Sequence, residues 1–589
     1  MSESPDPLAT RRIPQHVDAK GNLSFFSTRS PTSFKQRALC VAPPHTVIPV
    51  IFVPGIMGTR LRNTQTKASV WNPPNSGGEK LGELLHRFFQ KRSERQRDFN
   101  PDNTEVDPEG PCSVPDGWAT MHPDEAQRRG WGALHQESYQ DILQHLELSL
   151  NEKFTLPGLS DKQGNALREE IGLLTYLRPP ASRVESAAQT SSTAASSEEQ
   201  PDYQHAADKT AEAWGMAPPK LSAAQIDRFA DYYYPVWACG YNWLHDNEES
   251  ADLLLKKIDE VIKFYQNSGS FDCNGKVIVV THSMGGLVAR RAAQKNASQI
   301  LGVVHGVQPV GGAPVVYRRF RAGTEVDTGH GTLETVQNAG AAEVLGWSAA
   351  DTTPALACAP GALELLPTKH YPPGWLKFQQ GTDDAMPPLP ASDPYEEIYY
   401  KTTDECWWGM INPALIDPSG DIKTQLDKEG KGEAPIDLVL RKIKLAEKFH
   451  RTLGLFSHGN TYGYYGTDDA KYKSFGSVTW QTSTLLPTDK ASLLKMVKTE
   501  HFNDAGTSKV SLGEDLTAKF KLSNDRDQAG DGTVPMASGA LMMQFESAPK
   551  AVFKIADFNH QFSYKDPFSI RATVYSVVCL AQLADPPKP

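Results

Sequence analysis

Residues 277–287 read Val277-Ile278-Val279-Val280-Thr281-His282-Ser283-Met284-Gly285-Gly286-Leu287. A run of branched apolar residues suits a strand buried on both faces, and the glycines after Ser283 let a following helix pack close. A strand that enters a helix through a tight turn with a serine at its apex is a nucleophile elbow. It holds the serine in a strained conformation with its hydroxyl exposed above a parallel sheet. The first glycine of the G-x-S-x-G pattern is Thr281 here, a small residue that the turn tolerates. The bland alternative is a strand–turn–helix junction with a capping serine, and the strand before and helix after weigh against it.

The flanking chain repeats the alternation. Val47–Val53 and Tyr233–Tyr241 read as buried strands, and Ser250 reads as the N-cap of a helix with Leu254, Ile258, Val261, Ile262 and Tyr265 on one stripe. Further strands are expected at 302–307, 461–465 and 551–555, with a closing helix along Ile570, Val574, Val577, Val578 and Ala581. Strand alternating with amphipathic helix is the pattern of a mostly parallel α/β sheet covered on both faces.

A serine needs a base, and the base needs an acid to orient it. In this architecture they follow in the order Ser, Asp or Glu, His. His560 is the sole histidine after Asp531, just past the Val552–Ile555 stretch, where the base is expected. Gly530-Asp531-Gly532 puts a carboxylate in a turn, which favours Asp531 over Asp557, three residues from the base, and over Glu546. The oxyanion donors are expected from the Met284 amide and from Ile56 or Met57 in the loop Pro54-Gly55-Ile56-Met57-Gly58. The sequence does not choose between those two.

The chain has 589 residues, 39% hydrophobic and 22% charged, enough apolar material for a large core. That excludes a disordered or fibrous chain. A net charge of −10 without a long basic run excludes a nucleic-acid binder or a polybasic membrane binder. Seven widely spaced cysteines without a CxxC pair fit a reducing compartment rather than a disulfide framework. No zinc or EF-hand spacing appears, so no metal or other cofactor is expected. The N-terminus lacks the apolar stretch of a signal peptide, and no run reaches transmembrane length, so a soluble chain made in the cytoplasm is expected.

The expected organisation is an N-terminal arm (1–45) and an α/β-hydrolase core (46–61, 226–320 and 451–589). An insertion (62–225) carries a mobile Ser/Thr/Ala-rich tract at 187–199, and a cap lacking strand periodicity spans 321–450. Trp407-Trp408 reads as core rather than a lipid-facing patch. Gly361–Leu366 reads as an apolar helical turn that lines an acyl channel or pins the cap, and Asp383-Asp384 and Asp468-Asp469 read as solvated loop pairs.

Together, PVIFVPGIMGTRL (49–61), YNW (241–243), THSMGGL (281–287), PGALELLP (360–367) and GDGTVP (530–535) resemble the lipases related to lecithin:cholesterol acyltransferase and the GPI inositol-deacylases. In size, insertions and missing leader, the chain is similar to the fourth family of bacterial type VI secretion lipase effectors. That resemblance implies a serine lipase or phospholipase that degrades membrane phospholipid, delivered by a secretion machine to the periplasm of a target cell. It also implies an immunity protein as inhibitor. An acyltransferase or other esterase of this fold would share every catalytic residue, and a non-catalytic binding protein would usually lose one.

Overall fold

The computed structural model describes residues 11–26, 38–40, 42–72, 91–115, 121–151, 171–178, 203–324, 346–486, 493–494, 499–511 and 517–587. The tract at 187–199 and residues 1–10, 27–37 and 41 of the N-terminal arm lie outside them. The central sheet has six strands: β1 (Val50–Val53), β2 (Val236–Ala238), β3 (Val277–His282), β4 (Ile300–Gly306), β5 (Thr461–Gly466) and β6 (Ala551–Ile555). They lie in the order β2-β1-β3-β4-β5-β6, and every pairing is parallel.

Side chains alternate across this sheet. Ile51, Val53, Val277 and Val279 face one core, shared with α2 (Asn247–Gln266) and α3 (Gly285–Lys295). Val50, Phe52, Ile278 and Val280 face the other, shared with α1 (Gln136–Asn151) and the closing helix, Pro567–Ala581. Both faces are dry, which is why these strands read as continuous apolar runs rather than alternating ones.

Two of those runs are shorter than the sequence suggested. Val47–Val53 and Tyr233–Tyr241 each break at a proline, Pro49 and Pro235, and Thr46–Val47 and Tyr232–Tyr233 join a separate three-stranded sheet. A proline cannot donate to the ladder, so each run divides there. Ser250 is not the cap of α2 either: the helix begins at Asn247, and the Asp246 carboxylate accepts from the Glu248 amide.

The stretch 321–450 does contain strands. Leu376–Gln380 and Asp383–Leu389 enter a second six-stranded sheet with Val478–Thr482, Thr499–Asn503, Thr507–Ser511 and Thr517–Leu522. Asp383–Leu389 lies at the edge of that sheet, where its two prolines cost no central ladder bond. The last four strands come from sequence assigned to the core. Trp407 stacks on Phe520 with centroids 4.3 Å apart, and Trp407 and Trp408 are both buried, as the core reading has it. Among the described residues no helix is long and apolar enough to cross a membrane.

Candidate active site

β3 delivers Ser283 to the carboxyl end of the sheet with φ at +51°, a left-handed conformation that a serine adopts only under constraint. Its N–H donates to the Gly306 carbonyl at the end of β4 (2.9 Å), which fixes the turn. Gly285 opens α3 so close to β1 that a Cβ there would lie 2.4 Å from the Pro54 carbonyl oxygen. Only glycine fits. Thr281, standing where the motif has glycine, is buried and its hydroxyl lies 3.0 Å from His305 Nδ1 on β4.

Three side chains meet in one hydrogen-bonded line. Ser283 Oγ lies 2.9 Å from His560 Nε2, and His560 Nδ1 lies 2.8 Å from Asp531 Oδ2. The other carboxylate oxygen of Asp531 accepts from the Thr533 and Val534 amides (3.1 and 2.7 Å), so the acid is held from both sides. The His560 N–H also donates to the Asp531 carbonyl (2.8 Å). Asp557 does not reach the imidazole: it is exposed, sits at φ +64° and offers its amide to Asp468 Oδ2.

The loop after β1 turns tightly. Gly58 N–H donates to the Gly55 carbonyl (3.1 Å), Met57 takes φ +62°, and Trp71 Nε1–H donates to the Met57 carbonyl (2.6 Å). Gly55 packs on the elbow, since a Cβ there would lie 2.9 Å from Ser283 Cβ. Among the described residues, no acceptor faces the amides of Ile56, Met57 or Met284. Met284 caps α3, where unpaired N–H groups and the helix dipole favour an anion.

Two sequence readings need correction. Ser283 is not an exposed hydroxyl: only 4% of it is accessible, because the Gly55 loop and His560 close over it. Asp468 is not a solvated loop residue. It is buried, exchanges two backbone bonds with Gly530 (2.9 Å each), and takes the Asp557 amide on its carboxylate (3.2 Å). It thereby ties the loop of the acid to the loop of the base. In the Gly361–Leu366 turn, the Glu364 carboxylate accepts from the Asn247 amide and its carbonyl from His450 Nε2.

Three buried histidines outside the triad are held neutral. Burial pushes His282 and His305 down to about 3 and His450 down to about 4. Between such a depressed value and the ordinary 6.5, the unfolded chain binds a proton that the folded chain does not, so stability is complete above 6.5 and is lost as pH falls. His305→Gln is therefore expected to flatten the acid side of stability against pH by about 1.4 kcal/mol per unit, measured by urea unfolding at pH 5–7. An unchanged slope would mean that His305 is already charged in the fold.

The family profile of the PGAP1-like alpha/beta domain matches residues 231–323, the segment from β2 through the elbow to the end of the helix after β4. No curated protein sequence matches the chain significantly. Among solved structures, the Tle4–Tli4 complex contains a chain that matches with a TM-score of 0.66 and 28% identity, over 91% of this chain and 99% of that one. Motifs, sheet order and these likenesses agree: the chain has the α/β-hydrolase fold, and its resemblance to the lipases of that fold, the fourth family of type VI secretion lipase effectors among them, holds.

Proposed function

We propose that the protein is a serine phospholipase that acts as an antibacterial effector. Ser283 attacks an ester carbonyl of a membrane glycerophospholipid while His560 Nε2 takes its proton. Asp531 keeps the imidazole in the tautomer that can accept and stabilises the imidazolium. The Met284 amide and one from Ile56 or Met57 receive the oxyanion. His560 then returns the proton to the leaving alcohol, and water releases the fatty acid from the acyl-enzyme. The line from Ser283 through His560 to Asp531 is the observation that carries this reading. No cofactor enters the scheme.

The choice of phospholipid rests on the lipase resemblance, as do delivery by a secretion machine to a target periplasm and an immunity protein as partner. Tle4 was solved as a complex with Tli4, which supports a partner of that kind here. In this reading the cap comes from the insertions at 62–225 and 321–450, apart from α1, which packs on the central sheet. With Ser283 and His560 4% and 8% accessible, a lipid tail reaches the serine only if covering segments move.

The test is incubation of the purified protein with phosphatidylethanolamine and phosphatidylglycerol, with products identified by mass. Fatty acid and lysophospholipid are expected, and rates should rise when short-chain lipids pass from monomers to micelles. Intact lipid would overturn the reading. Acyl groups appearing on an added alcohol in place of free acid would make the enzyme an acyltransferase.

A further inference from the structure

Helix α1 carries Tyr139 into the junction of three parts of the site. Its hydroxyl oxygen lies 3.1 Å from the Gly55 amide nitrogen and 2.9 Å from His282 Nδ1. His282 Nε2 in turn lies 2.9 Å from the carbonyl oxygen of His560. The two ends fix the direction of the chain, because the Gly55 amide can only donate and the His560 carbonyl can only accept. Tyr139 therefore accepts from Gly55 and donates to His282 Nδ1, and His282 donates from Nε2 to His560. With the neutral imidazole protonated on Nε2 every donor has one acceptor, whereas an imidazolium would leave the Tyr139 hydroxyl hydrogen without one. Tyr139 and His282 are both buried, so water does not substitute for a missing partner without cost.

We infer that Tyr139 and His282 are positioning residues that lock the oxyanion loop to the backbone of the base, so that both reach the substrate as one preformed unit. The inference rests on the roles proposed above for Ser283, His560 and the Gly55–Gly58 loop. Asp531 already holds the His560 ring and its N–H, and His282 fixes the remaining backbone group, the carbonyl. The preceding residue of α1 adds Ser138, whose hydroxyl accepts from Gln561 Nε2 (2.7 Å), one residue past the base. A helix from the 62–225 insertion thus braces both the electrophilic and the basic side of the site. Such support matters because a displacement of about 1 Å in a reacting group can cost about 10²-fold in rate.

Three variants test it: Tyr139→Phe, which removes one oxygen, His282→Leu, and His282→Gln, whose amide N–H can still reach the His560 carbonyl. Each is assayed for kcat and KM on a short-chain ester and for the rate at which a fluorophosphonate labels Ser283. Thermal melting checks the fold. Tyr139→Phe and His282→Leu should lose about 10²-fold in kcat and in labelling rate with KM within about two-fold, and His282→Gln should regain at least about ten-fold. Wild-type rates in Tyr139→Phe and His282→Leu would overturn the positioning role and leave the proposed function standing. Equal losses in His282→Leu and His282→Gln would assign His282 to packing and overturn it too. A wild-type protein that neither hydrolyses esters nor labels would remove the enzymatic reading and this inference with it. If His282→Leu fails to fold, Tyr139→Phe alone decides.

Discussion

Ser283→Ala is expected to lower ester hydrolysis by on the order of 10⁴-fold or more while the protein stays folded. The Oγ atom bonds His560 Nε2, and its loss leaves the alanine Cβ in place on the same φ of +51°. Burial of the residue makes the resulting gap about the size of one hydroxyl, too small to unfold a core of this extent. His560→Ala should be about as damaging, and the double variant little worse, because nucleophile and base act as one unit. Asp531→Asn should retain more activity, since it disturbs the tautomer and orientation of the imidazole without removing it. Asp557→Asn is the control: that side chain is exposed at φ +64°, a conformation asparagine accepts readily. Rates on a chromogenic ester beside melting curves decide the matter. A folded Ser283→Ala protein with undiminished hydrolysis would sink the mechanism, and a crippled Asp557→Asn beside a normal Asp531→Asn would reassign the acid.

What the sequence made legible follows from how each part is built. β3 and the elbow are local: strand, turn and helix lie within twenty residues, and steric need fixes the glycine at Gly285 beside a serine held at a positive φ. Asp531 and His560 follow from chain order once the elbow is read. The second sheet is different. Its partners come from 376–389 and 478–522, so no local run announces it, and its outer strand carries two prolines. The signal in Thr517–Leu522 was available, since exposed and buried residues alternate strictly along it, the period of a half-buried strand. Tyr139 had no signal. It is one apolar position among several on α1, and only the folded chain sets its hydroxyl between Gly55 and His282. Asp468 failed for a related reason: a carboxylate beside another in a polar stretch reads as solvated until its backbone partners, Tyr472 and Asp557, are known.

The proposed biological role predicts that the protein kills when placed in a bacterial periplasm by an artificial signal peptide, and that its Ser283→Ala form does not. An enzyme that cleaves membrane glycerophospholipids produces lysophospholipid and fatty acid in the bilayer itself, so lysis should track catalysis. The same activity free in the producing cell would attack the producer's membranes, so something must carry the protein away or block the site. A partner that holds the segments covering Ser283 in place would suffice, because only 4% of that residue is accessible even without one. Co-expression of such a partner in the periplasm should restore growth without lowering the amount of effector. Growth curves, dye uptake and lipid mass spectra on cells making either form provide the measurement. Killing by the active form with accumulation of lysophospholipid is the expected result. If both forms kill equally, toxicity comes from binding or pore formation, and the enzymatic account of the role has to be abandoned. If neither kills while the purified protein still cleaves phospholipid, the chain is a phospholipase with a task other than attack.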